Sequence, residues 1–77
     1  MLSKINQEVQ VDFNRIPRKI YWNNREYEVK KLGLHHKYRV GNDLFHVFSV
    51  AGENLFFRLV LDAQALTWNL EEIHDGL

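Results

Sequence analysis

Three runs in the second half of the chain alternate with a period of two: Leu44-Phe45-His46-Val47-Phe48-Ser49-Val50, Leu55-Phe56-Phe57-Arg58-Leu59-Val60-Leu61 and Leu66-Thr67-Trp68-Asn69-Leu70-Glu71-Glu72-Ile73. Side chains alternate across a strand, so runs of this kind fold as β-strands. Only Ala51-Gly52-Glu53-Asn54 and Asp62-Ala63-Gln64-Ala65 separate them, which makes the three an antiparallel meander. The pattern names an architecture and no chemistry.

The earlier residues extend the same class. Val9, Val11 and Phe13 alternate with Glu8, Gln10, Asp12 and Asn14 as in a half-buried strand. The single proline, Pro17, lacks a donor and fixes its own φ, so it belongs in a connection or at a strand start. Ile20 and Trp22 share one face with Lys19 and Tyr21 on the other, and Asn23-Asn24 supplies a turn whose residues tolerate the left-handed conformation. Tyr27 and Val29 alternate with Glu26, Glu28 and Lys30 on the return strand. Leu32 is out of phase with Val29, which places a bulge at Lys30-Lys31. The periodicity fades from Gly33 to Asp43, read as an irregular loop with a short extended piece, and Gly41-Asn42-Asp43 is a turn signal.

The expectation is therefore an all-β fold, a single small domain of about six antiparallel strands in a meander, forming a strongly bent sheet or small open barrel. Residues 1–7 show no periodicity and read as a flexible N-terminus or a short helical turn, leaving 8–77 as the β domain. Seventy-seven residues suffice for one core, which here must come from the 45% of hydrophobic residues, because the chain has no cysteine for disulfides or thiolate metal sites. The expected core is Ile20, Trp22, Val29, Phe48, Leu59, Leu61, Trp68 and Leu70. In the last strand Leu66, Trp68 and Leu70 are expected to point inward. No apolar run has signal-peptide or membrane-spanning length, and the expected location is cytoplasmic, away from membranes.

The charges sum to zero but are unevenly ordered. Between Asn14 and Gly41, eight cations face two carboxylates, a balance of +6, whereas from Asn42 onward Arg58 faces six carboxylates, a balance of −5. Such asymmetry suggests a polar partner, a self-complementary surface, or a sheet that pairs basic early strands with acidic late ones.

Several stretches carry a resemblance: Val9-Gln10-Val11, Pro17-Arg18-Lys19-Ile20-Tyr21-Trp22, Arg25-Glu26-Tyr27-Glu28-Val29, Phe45 to Val50, Phe57-Arg58-Leu59 and Trp68-Asn69-Leu70. Together they resemble a small uncharacterised bacterial β-domain family, which reads as a strand, a Pro-x-x-Phe/Ile-x-Trp stretch, Arg-x-Tyr-x-Val, a variable loop, a Tyr-rich strand and a Trp-x-Leu strand. The family is found alone or appended to Y-family DNA polymerases. The resemblance implies a compact β domain without an established activity and, through the polymerase association, a role near nucleic acid.

Catalytic chemistry is not indicated. Ser3 and Ser49 have no base placed beside them by the sequence, and Glu71 and Glu72 fall on opposite faces of a strand, so neither a nucleophile nor a carboxylate pair assembles. No cofactor or small-molecule substrate is implied, and the chain reads as a non-enzyme. His35, His36, His46 and His74 are candidate metal ligands, and three of them converging with a carboxylate such as Asp43 or Asp75 would make a site, but adjacent His35 and His36 diverge on an extended chain, so only one could join His46 unless the loop is irregular, and no metal site is assigned. Two binding readings follow. The first is a protein-interaction or accessory module, using exposed sheet edges to dock a protein partner or to form a homo-oligomer. The alternative is a single-stranded nucleic-acid-binding accessory domain, whose basic and aromatic face of Arg18, Lys19, Tyr21, Arg25, Tyr27, Lys30, Lys37, Tyr38 and Arg39 would meet phosphates with cations and bases with tyrosines.

Overall fold

The computed structural model describes residues 2–75. Within them the chain is all-β: β1 (Leu2–Asn14), β2 (Ile16–Trp22), β3 (Arg25–Glu28), β4 (Lys31–Val40), β5 (Asp43–Ala51), β6 (Leu55–Asp62) and β7 (Thr67–Asp75). All are antiparallel in one sheet of order β3-β2-β1-β7-β6-β5-β4, which does not close into a barrel. No helix forms among the described residues, so none is long and apolar enough to cross a membrane.

The expected meander is present as β5-β6-β7, and the β2–β3 hairpin turns at Asn23 and Asn24. Their φ angles of 58° and 62° give the two left-handed residues that a two-residue hairpin loop with the native twist requires. The register then sets Ile20 opposite Tyr27, on the face that packs inward. Ile20, Phe48, Leu59, Leu61, Trp68 and Leu70 are buried as expected, while Trp22 and Val29 are half-buried against the same cluster. Val9, Val50, Phe57 and Ile73 complete it. The sheet bends so that β2 comes over β5, and Tyr27 of β3 meets Phe57 edge-on, with ring centroids 5.3 Å apart.

The strands number seven, where about six were expected. Four expectations are corrected. The segment expected to be a flexible end or helical turn is instead the first half of β1, paired with β7 from Leu2↔His74 to Val9↔Trp68. Its periodicity is hidden because an extra residue interrupts the ladder between Lys4 and Gln7, where Asn6 takes a φ of 50°. Residue 1 of that segment, and 76–77 of the expected β domain, lie outside the described residues.

The second correction to a segment concerns Gly33 to Asp43, where the expected irregular loop is mostly the edge strand β4, paired with β5 from Lys31↔Ala51 to Val40↔Asp43. An edge strand exposed on both faces carries no hydropathy alternation to read. The expected bulge at Lys30-Lys31 is a change of partner: Val29 N–H donates to the Arg18 carbonyl at 2.9 Å and Lys30 N–H to the Ala51 carbonyl at 2.7 Å, so the chain leaves β2 and joins β5 within two residues. The irregularity inside β4 falls at Gly33. Finally, Leu66 is 74% exposed, because it sits in the β6–β7 turn with a φ of 57° rather than in the strand.

Candidate interaction surface

The nine basic and aromatic residues expected to form one face divide into two groups. The first lies on the β2–β3 hairpin. Lys19 and Tyr21 point to the outer face of the sheet, where the ladder sets Asp12↔Lys19↔Glu28 and Gln10↔Tyr21↔Glu26 side by side. Both are occupied by local carboxylates. The Lys19 ammonium meets Glu26 at 3.3 Å, which raises its pKa above the usual lysine value. The Tyr21 hydroxyl donates to Asp12 at 2.9 Å, and that bond raises the phenol's pKa. Lys30 lies 3.8 Å from Glu28. Tyr27 is on the opposite, inward face, and Arg25 lies over its ring at 5.9 Å from the centroid. Arg18 is exposed in β2. On this hairpin Lys19 and Tyr21 are matched from within, while among the described residues Arg18 and Arg25 meet no carboxylate within ion-pair distance.

The early cations do not pair with the late carboxylates. Lys19 and Lys30 meet Glu26 and Glu28 of their own region, and among the described residues only Arg58, itself in β6, pairs with a carboxylate of β7, Glu71. That 2.7 Å contact is an ion pair without the N–H alignment of a hydrogen bond.

The second group, Lys37, Tyr38 and Arg39, lies in β4, at the other edge of the sheet. Directly opposed residues share a face, so the pairs His35↔Phe48, Lys37↔His46 and Arg39↔Leu44 place His35, Lys37 and Arg39 in one row on the face that carries the core. Among the described residues neither Lys37 nor Arg39 meets a carboxylate within ion-pair distance. The pairs Leu34↔Ser49, His36↔Val47 and Tyr38↔Phe45 place Leu34, His36 and Tyr38, with Val40, on the other face. Leu34, Tyr38 and Val40 are 57%, 42% and 61% exposed, and Tyr38 stacks on Phe45 with centroids 5.1 Å apart. One edge strand thus presents a basic face and an apolar, aromatic face.

The histidines resolve along the same parity. His35 and His46 converge, with Nε2 of the first 2.9 Å from Nδ1 of the second, while His36 points to the opposite face and His74 sits near Phe56 on β7. The His35 ring lies flat on Phe48 at 4.3 Å. Burial against that ring lowers the His35 pKa, and the positive charge of His46, Lys37 and His36 lowers it further. Among the described residues no three His, Asp or Glu side chains converge as metal ligands. His35, His46, Leu34, Val40 and Phe45 were not among the expected contact residues. The signal that could have found them was the strand parity of His35-Lys37-Arg39 against Leu34-His36-Tyr38-Val40, which the loop reading concealed.

The turn end of the β4–β5 hairpin is held by the β6–β7 turn. Gln64 receives the Leu44 N–H on Oε1 at 2.7 Å and donates Nε2 to the Leu44 carbonyl at 3.1 Å, so its amide acts as one more ladder residue. Asp62 organises that turn by accepting from the backbone N–H groups of Gln64 and Ala65 at 3.0 and 3.1 Å, which lowers its pKa. No family model, curated protein or solved structure matches the chain.

Proposed function

We propose that this protein is a non-enzymatic interaction module that docks a protein partner by strand addition to the free edge of β4. The observation that carries the reading is the edge itself. Among the described residues Lys31–Val40 pairs only with β5, so along its length one row of backbone donors and acceptors faces no other strand of the sheet, and Leu34, Tyr38 and Val40 stand exposed beside it. An exposed strand edge flanked by side-chain contacts is the substrate for β-augmentation, in which main-chain hydrogen bonds give affinity and alternate side chains give specificity. β3, at the other edge, is a four-residue strand and offers much less ladder.

The test is selection of extended peptides against the whole chain, followed by mapping of their amide shift changes by NMR. Binders should perturb β4 and its neighbour β5, and lose affinity when Leu34 and Val40 are replaced by Lys. Binders that map elsewhere, or whose affinity is unchanged in that variant, would overturn the edge reading.

A second reading rests on Lys37 and Arg39, which among the described residues have no carboxylate partner and lie on the face of β4 opposite the stacked Tyr38 and Phe45. A single strand of nucleic acid wrapped over this edge would set phosphates on the cations of one face and a base on the aromatic pair of the other. Its signature is affinity for oligothymidylate that falls with salt at a slope of about 0.7 per phosphate neutralised.

A further inference from the structure

We propose that the strand added to β4 is an acidic segment of alternating pattern, carboxylates on one face and apolar residues on the other, rather than a second copy of this chain. This rests on the edge-docking reading above and adds the partner's chemistry. The two faces of β4 differ sharply: His35, Lys37 and Arg39 form one row, joined by His46 from β5, and Leu34, His36, Tyr38 and Val40 form the other. A partner strand also alternates its side chains between faces, so both rows are matched only if its polar and apolar residues alternate. No Asp or Glu occurs between Lys31 and Asn42, and the first one met is Asp43, across the turn from Val40.

Self-pairing meets the same charges head-on. Antiparallel pairing of two copies about Tyr38 would set Lys37 of one copy against Arg39 of the other. Pairing about Lys37 would set that residue against itself. Like charges directly opposed across a ladder destabilise it, and lysines on an edge strand are a known device against edge-to-edge association. A carboxylate-bearing strand reverses the sign of every one of these contacts. It also engages the backbone edge, which a nucleic acid would leave unused.

The experiment measures binding of short synthetic peptides to the full-length chain: alternating Glu and Val, the same composition in blocks, and alternating Lys and Val, with oligothymidylate alongside. The alternating Glu peptide should bind most tightly, by at least about tenfold over the block peptide, and should protect β4 amides from hydrogen exchange. In the Lys37→Glu/Arg39→Glu variant the preference should pass to the Lys peptide. If that variant does not fold, Lys37→Gln/Arg39→Gln should weaken the Glu peptide while leaving the spectrum of the core unchanged.

Equal binding of the Glu and Lys peptides at β4, or a concentration-dependent dimer joined through β4, would overturn the acidic partner and leave strand addition standing. Equal binding of the block peptide would overturn the alternating pattern. Failure of all three peptides at low salt, or binding of oligothymidylate alone, would overturn both the partner and the edge reading.

Discussion

The β2–β3 and β4–β5 hairpins draw their cations from one basic stretch of sequence, and leave Lys19 of the first and Lys37 and Arg39 of the second in opposite situations. On β2–β3 the antiparallel register lays Glu26 and Glu28 beside Lys19, and Asp12 of β1 beside Tyr21, so the polar groups of the outer face satisfy one another. On β4 the neighbouring strand supplies His46, Phe45 and Leu44 instead, and the cations stay unmatched. The difference is one of neighbours rather than composition. A basic run in a β protein stays unpaired where the ladder sets no acid next to it.

The comparison supposes that both hairpins rest on one core, and this can be broken first. Leu59, fully buried in the centre of β6, should cost about 2 to 5 kcal/mol when replaced by Ala. Urea unfolding should show one cooperative transition at lower denaturant. A second, separate transition for one hairpin would show that the two do not share a core.

Next in size are the devices peculiar to each hairpin. Gln64→Ala removes both side-chain hydrogen bonds to the Leu44 backbone, and should destabilise by about 1 kcal/mol or somewhat more. Hydrogen exchange should quicken at the β5 end of β4–β5 and stay unchanged in β2–β3. Asn24→Ala forces a Cβ-bearing residue without a local polar side chain into a φ of 62°, at a cost of about 1 kcal/mol, whereas Asn24→Gly should be neutral or stabilising. Denaturation midpoints of the two variants check the sign.

A pH titration sharpens the electrostatic half of the contrast. His35 has its pKa lowered from 6.5 in the folded protein, so the folded state takes up this proton less readily than the unfolded one. Above that value both states carry a neutral ring and the group contributes nothing. As the pH falls below it the unfolded chain protonates first, stability declines, and the decline ends once the pH has passed the lowered folded value. His35→Gln should flatten that part of the stability profile, and the His35 ring shifts followed by NMR should titrate below those of an unstructured histidine. The smallest effect is expected from Lys37→Gln, which should alter stability by no more than about 0.5 kcal/mol in either direction, since it removes no ion pair. A larger loss would mean that Lys37 already has a structural partner.

How much of this was legible in the sequence follows the burial of each strand. Leu59, Leu61, Trp68 and Leu70 alternate with polar residues because one face is buried and the other wet, and that contrast is what periodicity detects. β4 has almost no buried residue, so nothing selected an alternation of hydropathy there, although charge parity was present in His35, Lys37 and Arg39. In β1 and β7 the alternation is real but loses phase. Extra residues beside Asn6 and at Glu71 shift the parity, so that Ile73 rather than Glu72 follows Leu70 into the core. The contact face was misread at Tyr27 for a reason open to correction: a two-residue turn at Asn23-Asn24 pairs Trp22 with Arg25, which already sets Tyr27 on the side of Ile20. Unlike these, the carboxylate beside Tyr21, Asp12, depended on a register with β1 that local pattern does not contain.

β1 is the one strand with a different partner along each half: Leu2 to Val9 on β7, Gln10 to Asn14 on β2. The sheet order places every other link between the β1–β2–β3 side and the β4–β7 side outside the ladder, so the two sides become one sheet only when the outermost ends of the chain meet, as at Leu2↔His74. Closing so long a loop is entropically the hardest pairing available, and proteins dominated by such non-local contacts fold in about milliseconds to seconds. During synthesis the two tight hairpins can form as they emerge, but β1 must wait for β7. Until then its first half is an unpaired strand, and the interval before that last pairing is when the chain is most open to mispairing with a neighbour.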